Sequence, residues 1–155
     1  MSFDLDAIDL KLLAIVQEDA SLTAAELSRR APLSPSAVQR RLNRLREIGV
    51  IERESAVLSE AYLAGRVTGV VHVQMASHAP EAVGPLLAHL ASKPQVQTLF
   101  EISGGYDLML VVIEQDLNAF NAFTTEALGR HENVRRYETT FVKRRVKATL
   151  AVPIG

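Results

Sequence analysis

The chain contains no cysteine. That absence excludes a disulfide scaffold, a thiolate zinc site, an iron–sulfur cluster and a cysteine nucleophile. Histidine is scarce too, with four residues and no pair at ligand spacing, so no metal site is expected. His72 falls on a strand face with Val70 and Gln74, while His78, His89 and His131 fall near element ends or on a helix. No apolar run approaches the roughly 18 residues that a membrane span requires. The acidic start, with Asp4 and Asp6, is unlike the basic head of a signal peptide, so a cytoplasmic protein is expected. Internal repeats and low-complexity tracts are missing as well.

What is present suffices to fold. The 155 residues are 48% hydrophobic and 23% charged, room for one ordinary domain or two small ones. The net charge of −1 hides an uneven division. Residues 29 to 46 hold six arginines (Arg29, Arg30, Arg40, Arg41, Arg44, Arg46) and no acid. Residues 55 to 134 hold three basic residues against eight acids, among them Glu60, so a basic head precedes an acidic body. A second basic stretch, Arg135 to Lys147, has Glu138 as its one acid.

The head shows helical periodicity three times, each with a start signal. Asp6 caps a helix burying Ile8, Leu12, Ile15 and Val16. Thr23 and Glu26 form a capping box for a second helix that ends before Pro32. Ser34-Pro35 opens the third, with the proline at the first helical position, where its missing N–H costs nothing. Val38, Leu42 and Leu45 make one apolar stripe, and Gly49 stops the helix. Residues 50 to 58 alternate weakly, consistent with a small β wing or an extended linker strand.

Beyond Arg66 the period changes. Val67 to Met75 alternates like a strand, and Val83, Leu86, Leu87 and Leu90 follow helical spacing. A helix starting at Pro80 would carry Pro85 in its interior, so a later start or a kink is expected. Val96 to Ile102 and Leu108 to Ile113 read as a hairpin about Gly104-Gly105. Asp116 caps a helix with Phe120 and Phe123 in the core, and a last strand is expected over Tyr137 to Val146. The fold class is therefore α+β: a helix-turn-helix head, (winged) if the alternation after Gly49 pairs, joined to a ferredoxin-like βαββαβ domain. The expected boundaries are residues 1–54 for the head, 55–66 for a linker strand and 67–155 for the second domain.

The stripe on the third helix fixes what that helix offers to solvent. Ser36, Gln39, Arg40 and Asn43 fall opposite it, with Arg44 at the flank. Arginine bonds bidentately to guanine, and glutamine or asparagine to adenine, so these residue types suit major-groove edges. Ser34 and Ser36 suit phosphate contacts at the exposed helix start, and Arg29 and Arg30 suit the flanking backbone. Arg41 borders the buried stripe and is expected to pair with a carboxylate on an earlier helix.

Residues 33 to 51, from Leu33-Ser34-Pro35-Ser36 to Gly49-Val50-Ile51, resemble the recognition helix of the Lrp/AsnC, or feast/famine, transcriptional regulators. The resemblance runs from Asp6-Ala7-Ile8-Asp9, through a linker ending near Gly65, to Ile102-Ser103-Gly104-Gly105-Tyr106-Asp107-Leu108, and covers nearly the whole chain. Ala31-Pro32 departs from the family's usual glycine-containing turn before the recognition helix. The family implies double-stranded DNA as partner, an amino-acid effector and no other cofactor, and a dimer paired through the sheet that often assembles into tetramers or octamers.

Glycine at 104 and 105 lets backbone amides approach a carboxylate, and Asp107 beside them suits an ammonium, together matching an α-amino acid. Tyr106 supplies a wall and a hydroxyl. By similarity to the family, Glu101, Thr139 and Thr140 join the rim; a plain hairpin turn is the blander alternative. Arg135, Arg136, Lys143, Arg144, Arg145 and Lys147 suit a second DNA surface, but alternation on a half-exposed strand explains most of them and is preferred. Two other functions share the scaffold: a decarboxylase of a siroheme-type tetrapyrrole, which would use histidine and arginine, and an effector-independent architectural DNA-binding protein. The basic helix argues against the enzyme.

Overall fold

A computed structural model describes residues 3–59 and 61–154. Glu60, counted above among the acids of the body, lies outside the described residues. The chain folds as two compact units, one of residues up to Val57 together with those from Lys147 on, the other of residues 58–146.

The first unit is three helices: α1 (Ala7–Val16), α2 (Ala24–Ser28) and α3 (Pro35–Glu47). Each start follows from its cap. Asp6 accepts from the amides of Ile8 and Asp9, and Asp9 returns the bond to the Asp6 amide, satisfying donors that a first turn leaves open. Thr23 and Glu26 close the expected box on α2. Ser34 accepts from the Ala37 amide, with Pro35 first in the helix. Gly49 takes φ +78, and the Gly49 and Val50 amides return to the carbonyls of Arg46 and Leu45, a closing motif that requires a left-handed residue at this position. Leu12, Leu27, Ala31, Val38, Leu42 and Leu45 form the core. The turn before α3 closes without any left-handed residue, because Ala31 is small enough to enter this core. No wing or linker strand forms among the described residues 50–59. The backbone there has no partner segment, and an unpaired strand gains nothing from its extended shape.

The second unit has β1 (Val67–Met75), α4 (Pro80–Ala91), β2 (Val96–Glu101), β3 (Leu108–Glu114), α5 (Leu117–Thr124) with a π-helical turn at Thr125–Gly129, and β4 (Val134–Phe141). The strands order β2-β3-β1-β4, all antiparallel. Val71, Val73, Leu108, Leu110 and Val112 face the helices and bury against Leu86, Leu90, Phe120 and Phe123. Gly69 lets the Phe120 ring lie against the backbone of β1. α4 does begin at Pro80 and runs through Pro85. Gly84 explains how: the proline ring clashes with the Cβ of a preceding helical residue, and glycine has none. β4 stops at Phe141, short of the expected Val146, because its partner β1 begins two residues before the Gly69 that faces Phe141.

Candidate functional site

Burial of Val38, Leu42 and Leu45 turns Ser36, Gln39, Arg40 and Asn43 outward on α3, and a shallow groove runs along Ser36, Gln39, Arg40, Asn43, Arg44 and Glu47. The free state is partly self-satisfied. Ser34 and Ser36 share a hydroxyl bond of 3.1 Å, and the Gln39 amide donates to the Asn43 carbonyl oxygen at 2.9 Å. Arg40 has no hydrogen-bond or ion-pair partner among the described residues. Arg29 and Arg30 are exposed at the end of α2.

The other arginines of α3 are held. Arg41 reaches both Asp6 and Asp9 at 2.7 Å, the pairing expected of it. Arg44, expected at the flank of the outward face, lines that groove and is also tied to α1: it donates to Asp9 at 2.9 Å and to the Asp4 carbonyl at 2.7 Å. Arg46 pairs with Glu54 at 2.6 Å and also touches Asn43. Asp9 anchors this network with a side chain only 2% exposed. Burial pushes its carboxyl up, but Arg41, the Asp6 amide and Arg44 together hold it below the usual range.

In the second unit the connection from β2 to β3 is held from several sides. The Ile102 amide donates to the Asp107 carbonyl, the Asp107 amide to Val73, and Gln74 to the Gly105 carbonyl. Gly104 takes φ +145, and open space lies where a Cβ would stand on either glycine. The Asp107 carboxylate is occupied: His78 meets one oxygen at 2.9 Å and the Met75 amide donates to the other at 2.7 Å. The bond from His78, then that from Met75, hold Asp107 below the usual carboxylate range. Tyr106 lies beside His72, ring centres 5.2 Å apart, under the guanidinium of Arg136, and donates to Glu138. That bond, with burial, pushes the phenol up.

The residues expected around this loop do not share one face. Gly105, Tyr106 and Asp107 adjoin His72, Gln74, Arg136 and Glu138, four residues that the sequence reading left out of the site. Their signal was the period of two in β1 and β4, but pairing of His72 with Glu138 and Gln74 with Arg136 is a matter of register. Thr140 lies on the same face, opposite Val70. Thr139 points to the helix side near Gly69, and Glu101 pairs with the buried Leu108 on that side. His89 and His131, distant in sequence, meet with ring centres 5.6 Å apart. Among the described residues no three histidine or acidic side chains gather as a metal site.

Residues 5–52 match the family model of a winged helix-turn-helix DNA-binding domain, and residues 68–152 that of the Lrp/AsnC ligand binding domain. The HTH-type transcriptional regulator y4tD of Sinorhizobium fredii is 33% identical over 99% of this chain and 90% of its own. The leucine-responsive regulatory protein of Rhizobium meliloti is 32% identical over 97% of each chain. A transcriptional regulator from Neisseria meningitidis, solved as a complex with L-Met, is 32% identical and superposes with a TM-score of 0.88 over 97% of each chain.

Proposed function

The chain belongs to the Lrp/AsnC family of transcriptional regulators, and on that premise we propose that α3 reads duplex DNA through Arg40, Gln39 and Asn43 under control of an amino-acid-like effector bound at residues 104–107. One observation carries the DNA reading: on a helix whose other cations are tied back, Arg40 stands free beside a paired glutamine and asparagine. Ser34 and Ser36, with Arg29 and Arg30, supply contacts to phosphate. The Neisseria relative's L-Met supports the choice of an amino acid. In this chain the carboxylate of such a ligand would meet the glycine amides. Its ammonium would share Asp107 with His78.

The sheet face away from the helices carries Phe100, Met109, Val111 and Val70 in register, and Phe100 is 51% exposed. We read this face as the dimer surface, and larger assemblies as dimers of it. Two-fold symmetry then sets half-sites one helical turn, about 34–36 Å, or a multiple apart. The relatives' names favour a regulator acting on DNA over a tetrapyrrole decarboxylase.

Selection of bound duplexes from a random pool provides the test. Arg40→Ala should lose about 1–3 kcal/mol on the selected site and relax its base preference there. Equal loss on selected and random duplexes would remove base reading by Arg40, and an absence of any selected sequence would favour an architectural role. A thermal-shift screen of amino acids tests the effector site, since a ligand bound only by the folded form raises Tm. Asp107→Ala should abolish the shift.

A further inference from the structure

After one last bond, from the Val142 amide to the Thr68 carbonyl, the chain leaves the sheet, and it is exposed through residue 150. Four of the five residues 143–147 are cations: Lys143, Arg144, Arg145 and Lys147. No acid follows Glu138 in the sequence. The strand alternation that offered a bland account of these charges is absent, so they are not the solvent side of a half-buried strand. Lys143, Arg144 and Lys147 have no ion-pair partner among the described residues. Like charges packed this closely repel each other and draw a polyanion.

The chain just beyond the segment is anchored. The Gln17 side chain donates to the Val152 carbonyl at 2.8 Å and accepts from the Val152 amide at 2.9 Å, meeting both polar groups of one backbone residue as a neighbouring strand would. From Lys147 on, the tail therefore belongs to the compact unit that carries α3.

We propose that residues 143–147 form a second DNA-contacting element, an arm that grips duplex phosphates without reading bases. It rests on the reading of the chain as a DNA-binding regulator. Five residues span at most roughly 13 Å from first to last. A DNA strand offers a phosphate about every 3.4 Å of helix axis, so Lys143, Arg144 and Lys147 can each meet one. Irregular backbone lets the side chains follow the phosphates, whereas a strand would turn alternate ones away. The arm adds affinity equally for every sequence, and α3 supplies the preference. RNA or an anionic lipid surface would also attract cations, but Lys147, the last of these cations, belongs to the compact unit that bears α3, which favours duplex DNA.

The test uses the full chain carrying K143Q, R144Q and K147Q together, with binding followed by fluorescence anisotropy on a selected and an unrelated duplex. Salt is varied from about 0.05 to 0.4 M. The expected result is a loss of about tenfold to a hundredfold at 0.1 M salt, the same on both duplexes. The slope of log K against log salt should shrink by about three, with the ratio between duplexes unchanged. The K143R/K147R variant should keep both affinity and slope, and both variants should melt like the wild type, because the altered side chains are exposed. An unchanged slope in the glutamine variant, or a loss confined to the selected duplex, overturns the arm and leaves the reading by α3 standing. Loss of binding to phosphatidylserine vesicles or to duplex RNA with DNA binding intact overturns it as well. A wild-type chain that binds no duplex overturns both.

Discussion

Asp9 shows how one side chain can set the character of its neighbours. It closes the cap of α1 and receives two guanidiniums from α3, so a buried carboxylate decides which arginines remain available to a ligand. Asp9→Asn keeps the size and removes the charge, leaving Arg41 with Asp6 alone and Arg44 without its carboxylate. The expected cost is about 1–3 kcal/mol, reduced from the value of a fully buried pair because both guanidiniums touch water. Urea denaturation measures it, and an unmoved midpoint would mean that solvent serves the arginines as well as Asp9 does. The helical wheel already separated Arg41 from Arg40. It set Arg44 at the flank and could name no partner for it, because a wheel holds one helix and the start of α1 crosses that flank. Glu47, one residue past the acid-free window, lies on the same face of α3 and in the same groove as Arg40, so the window's edge and not the wheel hid it.

Among the elements, α3 was the most legible, because its cap, proline, stripe and closing glycine all act within a few residues. The end of β4 was not. Residues 142–146 keep a tolerable strand pattern, yet a strand lasts only as long as its partner, and β1 gives out. The segment after Gly49 misled for the same reason. The sheet also contains a position whose role no pattern announces. A Cβ on Gly69 would overlap the Phe120 ring and press on Thr139. Gly69→Ala should therefore force β1 and α5 apart and cost about 1–3 kcal/mol, seen as a lower Tm. Full stability in that variant would show that Phe120 can move without loss, contrary to its position in a filled core.

At the scale of the whole molecule, acid should act unequally on the two units. Asp6, Asp9, Asp19 and Glu26, all in the first unit, are held below the usual carboxylate range, and Asp107 is so held in the second. A carboxyl depressed in the folded state stabilises above its unfolded value, near 4, and that contribution fades as pH falls through the lower folded value. Hydrogen exchange between about pH 5 and 3 should thus find the helices of the first unit opening before the sheet. Simultaneous opening would mean that the two units share one cooperative transition. The order of elements in both units was legible from period and punctuation, whereas the return of the tail to Gln17 left no local trace, since two bonds between residues 135 apart answer to no pattern.

That return makes the sheet-bearing unit an insertion within the helical one. Engineering a hybrid by grafting a foreign sensor onto this head therefore calls for two splice points, near Val57 and near Lys147. Spliced only at the first, a hybrid would have to seat a stranger's tail against Gln17.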